Sequence, residues 1–393
     1  MLRISPDEVS FNDIEASGVI YGQTSKFEKS HYFYRAFEDQ APNLFTIRDR
    51  QHHAQDKRLI SHAFSRANIV QYQASIWNKA EYLMGRIAQR VKENETIPLF
   101  PAFRCMTLDT ISEFAFGRST EALKLEDFES VIFDGIDMAT GTVPFVSFVQ
   151  QPRHPKLEIN WAQFQHFPIL REALRWASYF KLTAVPNGFL ALGQAADAAF
   201  QEMDTSDTWT MFKNMISSAD KTSTALTKEH LISEAILMFV AGTDTTAAAL
   251  AINLHQLLQQ PELYQKLQAE VRTAMPELDT RPTIQDLDSL PLLEACVKEG
   301  LRISAPSRVR MPRTVPEGGW TFKGQHFPAG VSTPRRSKPF SPSFFSFSSL
   351  LSSMHGAGAN DLPENCKPVA MVLPARRGHL PQPHALRPSA LDG

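Results

Sequence analysis

Along the first 330 positions apolar residues recur mostly at the 3.6-residue spacing of a helix face. The spacing predicts helices over roughly Arg50–Phe64, Ile69–Asn94, Phe103–Phe116, Phe128–Thr140, Phe189–Met203, Lys228–Leu258, Pro261–Met275 and Leu290–Ile303. Pro261 stands where a first helical turn tolerates proline, with Glu262 behind it to complement the helix dipole. Leu292, Leu293, Cys296, Val297, Gly300 and Leu301 share one face of the last helix. The opening LRISPDEVSFN reads as a short strand and a turn, and Val309–Val331 as short strands joined by Gly/Pro turns. The expected fold is mainly α with a small β region, without internal repeats.

The periodicity stops near Val331. Residues 331–393 hold 9 of the 26 prolines and 3 of the 42 acids, and Ser337–Ser353 is a Ser/Phe tract with neither a helical nor a strand period. Two segments are therefore expected, residues 1–330 as the folded part and 331–393 as a disordered or irregular tail.

The chain has 393 residues, is 43% hydrophobic and 21% charged, and carries a net charge of -2. That is a globular composition with no electrostatic invitation to nucleic acid. Cys105, Cys296 and Cys366 are too few and too scattered for a disulfide framework or a paired-cysteine zinc site. MLRISPDEVSF has neither the apolar core of a signal peptide nor a membrane anchor, and the most apolar run, Ile232–Leu254, is broken by Asp244 and its threonines. On composition alone the expectation is a soluble intracellular protein.

Within Lys228–Leu258, a helix that Thr227 can cap, LMFVAGTDTTAAAL places Gly242, Asp244, Thr245 and Thr246 inside an otherwise apolar stretch. A mid-helix glycine costs about 1 kcal/mol against alanine, and an unpaired buried carboxylate costs more. Two readings follow from these residues: a Gly/Thr helix packed closely on a neighbour, or a helix opened over a ligand with an acid and hydroxyls placed to move protons. Further on, Glu299 and Arg302 lie three apart on one helical face, at salt-bridge spacing, and SAPSRVRMPRTVPEGG and FPAG follow.

In that order these segments resemble the cytochrome P450 heme-thiolate monooxygenases of fungal type. LRISPDEVSFND, LFTIRDRQHHAQDKRLISHAFS, LDTISEFAFG, AGTDTT, PELYQKLQAEV, LPLLEACVKEGLR and PRTVPEGG carry the resemblance over about residues 1–330. It implies that the helix of AGTDTT crosses a heme. Gly242 would make a groove for dioxygen, Asp244 and Thr245 would deliver protons during oxygen activation, and Thr246 would pack or bend the helix. Glu299 and Arg302 would belong to a structural network beneath the heme. The heme carboxylates would be met by His53, by Lys57 or Arg58, and by Arg313. A solvated helix start is the competing reading of the His52–His53 pair, and a zinc role for these histidines lacks a second ligand motif at suitable spacing. The resemblance further implies a small organic substrate of secondary metabolism, an NADPH–cytochrome P450 reductase as electron donor, and association with the endoplasmic reticulum membrane.

Departures from the pattern are concentrated at the ends. The Phe-x-x-Gly-x-Arg-x-Cys-x-Gly loop that carries the family's axial cysteine is not found, nor is the second arginine of the Glu-Arg-Arg network. Cys105 and Cys296 read as small buried hydrophobes, and Cys366 in PENCKPVAM lacks the expected turn. No metal ligand is therefore assigned. The anchor helix of eukaryotic relatives does not precede MLRISPDEV. The expectation is a P450 domain truncated or wrongly delimited at both ends, with residues 331–393 a translated intron or frame change. Its activity is then either a monooxygenase or an inactive remnant of one.

Overall fold

Lys228–Leu258 is a single uninterrupted α-helix, and the other helices are arranged around it. The computed structural model describes residues 1–5, 7–35, 37–38, 41–137, 139–140, 187–203, 209–222, 224–277, 279–307 and 311–333. The segment 331–393 expected to be an irregular tail therefore lies outside the described residues beyond position 333.

In chain order the elements are β1 (Leu2–Ser5), β2 (Glu8–Ser10), α1 (Ile14–Tyr21), β3 (Glu28–Lys29), α2 (His31–Arg35), α3 (Arg50–Ser61), α4 (Arg66–Lys92) and α5 (Leu99–Phe116). A helical stretch over 131–137 precedes α6 (Asn187–Met203), α7 (Met211–Lys221), α8 (Lys228–Leu258), α9 (Pro261–Ala274), α10 (Ile284–Asp288) and α11 (Pro291–Ser304). Three short strands, β4 (Arg313–Thr314), β5 (Trp320–Phe322) and β6 (Gln325–Phe327), complete the described part. The mainly helical expectation holds, and α8 keeps both of its predicted ends.

Helix α5 starts at Leu99, earlier than the periodicity suggested, because Pro101 falls in its first turn, where a missing N–H costs no intrahelical bond. It ends at Gly117, whose φ of 82° is the left-handed conformation that lets its N–H reach the Glu113 carbonyl. Helix α7 was not anticipated. Thr210 caps it through Lys213 N–H, and Met211, Phe212, Met215 and Ala219 bury one face.

Two apolar cores result. The larger is built by α3 to α8 and includes a ring cluster in which Phe116 lies 5.0 Å from Phe212, 5.4 Å from Phe200 and 5.4 Å from Phe239. Edge-to-face and offset contacts of this kind add to the stabilisation from area burial. The smaller core gathers Phe11, Phe27, Val315 and Phe327 around Trp320. It is held by pairing between distant parts of the chain. β1 pairs β2 antiparallel, β5 and β6 form a hairpin, and β3 pairs β4 with Lys29 directly opposite Arg313.

Helix α8 is the one helix among the described residues long and apolar enough to cross a membrane. Here it is the central packing element, between α5 on one side and α11 on the other. On the first side Gly242 lies against Ile111, where an added Cβ would come within 2.7 Å of Ile111 Cγ1. On the second, Gly300 of α11 leaves room for Asn253, whose amide donates to the Cys296 carbonyl at 3.3 Å. Both glycines are thus explained by helices approaching closely.

Candidate functional site

The middle of α8 is locked to α5 by a stripe on that helix at positions i, i+3 and i+7: Arg104, Thr107 and Ile111. Thr107 donates its hydroxyl to the Thr243 carbonyl at 3.0 Å. Arg104 grips Asp244 with both arms, Nε to Oδ1 at 2.7 Å and Nη2 to Oδ2 at 3.1 Å. It also donates to Asp137 at 2.7 Å, and its cation lies 4.3 Å from the ring centroid of Phe133. Burial works against the charge on Arg104, but Asp244 and then Asp137 overcome it and hold the guanidinium above its usual range. Burial pushes the Asp244 carboxyl up, with Arg104 pulling the other way. The two-armed geometry is that of an ionised pair.

Thr245 donates to the Ala241 carbonyl one turn back at 2.7 Å, which leaves its oxygen lone pairs free to accept. Ala241 and Thr246 are exposed and Thr245 half-buried. The expected opening of the helix is not observed: α8 is α-helical through Gly242–Thr246. Gly242 itself faces Ile111 of α5, so its missing side chain is accounted for by packing, whereas the sequence reading had placed a groove there.

A second cluster forms where β3 and β4 pair. Lys29 and Arg313 sit opposite each other across the two strands, a like-charge arrangement that is normally destabilising. Burial, and then Arg313, lowers the Lys29 pKa to about 8. Burial lowers His53 to about 4, reinforced by Lys29, Lys57, Arg313 and His52. Lys29 donates to the carbonyls of Leu44 at 3.0 Å and Phe45 at 2.8 Å. Arg313 donates to the Tyr34 hydroxyl at 2.5 Å and lies over the rings of Tyr21 and Tyr34. Among the described residues no carboxylate forms an ion pair with Lys29, Lys57 or Arg313. Four basic side chains gather here, and Glu234, which acts on Lys29, makes no ion pair with them; such a cluster suits an anionic group.

The structure thus brings His53, Lys57 and Arg313 together and adds Lys29, which sequence reasoning missed because a lone lysine in KFEKSHYF carries no motif. Lys57 and Arg58 are both exposed, but only Lys57 is among the charges acting on His53, which favours it of the two candidates. The segment 43–45 ties this cluster to α8, since Leu44 N–H donates to Glu234 at 2.5 Å.

Glu299 and Arg302 make the expected pair on α11, with bonds of 2.7 and 2.6 Å. Both side chains are more than half exposed, so among the described residues the pair faces solvent. Leu301 and Val297 on the same helix are also exposed.

A heme fits the basic cluster through its carboxylates. Its iron finds no thiolate among the described residues. Burial, helped by Asp109, pushes the Cys105 thiol up to about 12, and its sulfur lies 3.4 Å from the Phe128 carbonyl. Cys296 is buried on α11 and its thiol is likewise raised by burial. Cys366 lies outside the described residues.

Comparison with known proteins agrees with this geometry. The cytochrome P450 family profile matches residues 12–333. The cytochrome P450 monooxygenase flvC of Aspergillus flavus is 26% identical over 83% of this chain, which spans 59% of that relative. The cytochrome P450 monooxygenase poxM of Penicillium oxalicum is 28% identical over 84% of the chain and 62% of its own length. For the cytochrome P450 monooxygenase penB of Penicillium thymicola the figures are 26%, 84% and 73%. The chain therefore spans about three-fifths to three-quarters of these relatives. With the helical architecture, the α8 segment and the basic cluster in place, the chain belongs to the cytochrome P450 family.

Proposed function

We propose that the chain is the greater part of a heme-dependent monooxygenase that oxidises an organic small molecule of fungal secondary metabolism. Electrons would come from an NADPH–cytochrome P450 reductase, and the whole protein would work at the endoplasmic reticulum membrane. The observation that carries the reading is the unpaired basic cluster of Lys29, His53, Lys57 and Arg313. Heme, when bound, supplies the iron at which oxygen is activated. Lys29, Lys57 and Arg313 would hold its carboxylates through charge-assisted hydrogen bonds, with His53 beside them, and an anion there would relieve the repulsion between Lys29 and Arg313.

Thr245 holds an ordered water through the lone pairs left free by its bond to Ala241. Asp244, half-buried with 17% of its side chain accessible, takes a proton from solvent when one of its bonds to Arg104 opens and passes it to that water. Glu299 and Arg302, exposed among the described residues, would serve heme retention in the whole protein. The remnant alternative is not favoured, since these relatives are all named as monooxygenases.

The test is a titration of the full chain with heme and with heme dimethyl ester, whose carboxylates are capped. Tighter uptake of the free acid, with the preference abolished in Arg313→Gln and Lys29→Met, supports the reading. Equal uptake of the two, or no uptake, sinks it. A thiolate-type band in the reduced, carbon monoxide-bound spectrum would separately establish the axial ligand.

A further inference from the structure

Beside the basic cluster, helices α3 and α8 bring two i, i+4 pairs face to face: His52 and Asp56 on α3, His230 and Glu234 on α8. Asp56, His230 and Glu234 are all buried, and one ligand-type atom from each lies within 4.8 Å of the other two. Asp56 Oδ2 is 3.3 Å from His230 Nε2, and His230 Nε2 is 4.0 Å from Glu234 Oε1.

Few hydrogen bonds join these groups. His230 Nδ1 lies 3.1 Å from the Pro42 carbonyl, which can only accept, so Nδ1 carries the ring hydrogen. Nε2, the other ring nitrogen, faces Asp56. Glu234 Oε1 already accepts the Leu44 N–H, and its Oε2 has no donor. Asp56 Oδ2 and His230 Nε2 are likewise without hydrogen-bond partners. The Asp56 and Glu234 side chains are 2% and 0% exposed, so bulk water does not satisfy them. Burial, with the repulsion of Asp56, pushes the Glu234 carboxyl up to about 8, and burial pushes Asp56 up as well; a proton or a metal cation relieves that cost, and three ligand-type atoms gathered at one buried point have the geometry for a metal.

We infer that Asp56, His230 and Glu234 form a binding site for one divalent transition-metal ion of the zinc class, with His52 as a fourth ligand from the rim. Zinc bonds of about 2.0–2.2 Å place tetrahedral donors roughly 3.3–3.6 Å apart, which matches the Asp56–His230 separation, while Glu234, 4.0 Å from His230, would have to draw in. The His230 Nδ1 bond to Pro42 is the outer-shell contact that fixes a ligating imidazole in the right tautomer. His52 is half exposed, its Nε2 is 3.8 Å from Asp56 Oδ2, and its ring stacks at 6.5 Å from that of His230. It supplies both the remaining donor and the way in from solvent. Bound metal would pin α3, which carries His53 and Lys57, to the helix that carries Asp244 and Thr245. Facing side chains on two helices are a common way to build such a centre. The inference does not depend on heme binding.

The test uses the full chain, stripped with chelator and titrated with zinc. One equivalent is expected to bind and to raise the thermal midpoint. Asp56→Asn and Glu234→Gln should weaken binding at least tenfold, and His52→Ala less. Glu234→Gln keeps the acceptor for Leu44 N–H and so guards against simple unfolding. X-ray absorption of the zinc-loaded wild-type chain should show nitrogen and oxygen neighbours with imidazole scattering. No stoichiometric uptake, uptake unchanged in both carboxylate variants, or sulfur in the zinc shell would each overturn the assignment.

Discussion

Arg104 clamps Asp244 across the α5–α8 interface with two hydrogen bonds, while its remaining reach goes to Asp137. The acid that the sequence leaves isolated in an apolar helix is therefore paired by a residue 140 positions away. That pairing decides how α8 tolerates a charge, and it sets the starting state of the proton-delivery role proposed for Asp244.

Replacing Arg104 with Met should destabilise the chain by about 3–5 kcal/mol, because a buried carboxylate loses its cation. Adding Asp244→Leu should recover part of that loss, since the stranded charge is then gone. Chemical denaturation of the single and double variants checks this. A double variant no more stable than Arg104→Met alone would show that the pair is not the source of the cost.

Gly242→Ala pits a helix-propensity gain of about 1 kcal/mol against the overlap of the new methyl with Ile111. Overpacking at a tight helix crossing costs about 1–3 kcal/mol, so a net loss of about 1 kcal/mol is expected. Ile111→Ala in the same chain should make the alanine at 242 neutral or favourable relative to glycine. The thermal midpoints of the four chains in this cycle give the coupling directly.

The basic cluster makes the heme-free chain sensitive to pH in one direction. For His53, lowered to about 4 from its ordinary 6.5, the unfolded state holds the proton more tightly between those values, so stability falls as pH drops through that window. For Lys29, lowered to about 8 from 10.5, the same argument has stability rising as pH climbs from about 8 towards 10.5. His53→Gln should flatten the acid slope and Lys29→Met the alkaline one. Denaturant midpoints against pH read both, and a slope of opposite sign would contradict the cluster.

Glu299→Ala and Arg302→Ala should leave the denaturation midpoint of the chain unchanged within error. The pair is well formed but solvent-exposed, and exposed pairs on one helix contribute little. A clear drop in midpoint would mean that the pair is engaged by residues beyond the described ones.

Much of this was readable in the chain, for physical reasons that differ by region. Helix α8 was legible to the residue because Thr227 caps it and its apolar run is long. Helix α7 was not, because MFKNMISSADK is short and half polar, and its buried face shows only once Phe116 and Phe200 are there to receive Phe212. At the site, His53, Lys57 and Arg313 sit in recognisable segments, whereas Lys29 acquires its role from a strand pairing that no local pattern encodes. The partner of Asp244 was hidden for the same reason. Nothing around Arg104 in PAFRCMTLDT sets it apart until α5 and α8 are brought together. The buried cluster of Asp56, His230 and Glu234 escaped a reading that looked for ligands close in sequence. Its two halves are ordinary i, i+4 pairs, and only the crossing of α3 and α8 joins them.

The pairing of β3 with β4 also has a bearing on biosynthesis. Lys29 leaves the ribosome early, yet its neighbour across the strands, Arg313, is made almost three hundred residues later. A nascent chain therefore carries only half of the cationic clamp until Arg313 and Thr314 have emerged, and a cofactor arriving sooner meets an incomplete grip. On the proposed reading, the full clamp is available only after the late strand has closed onto the early one.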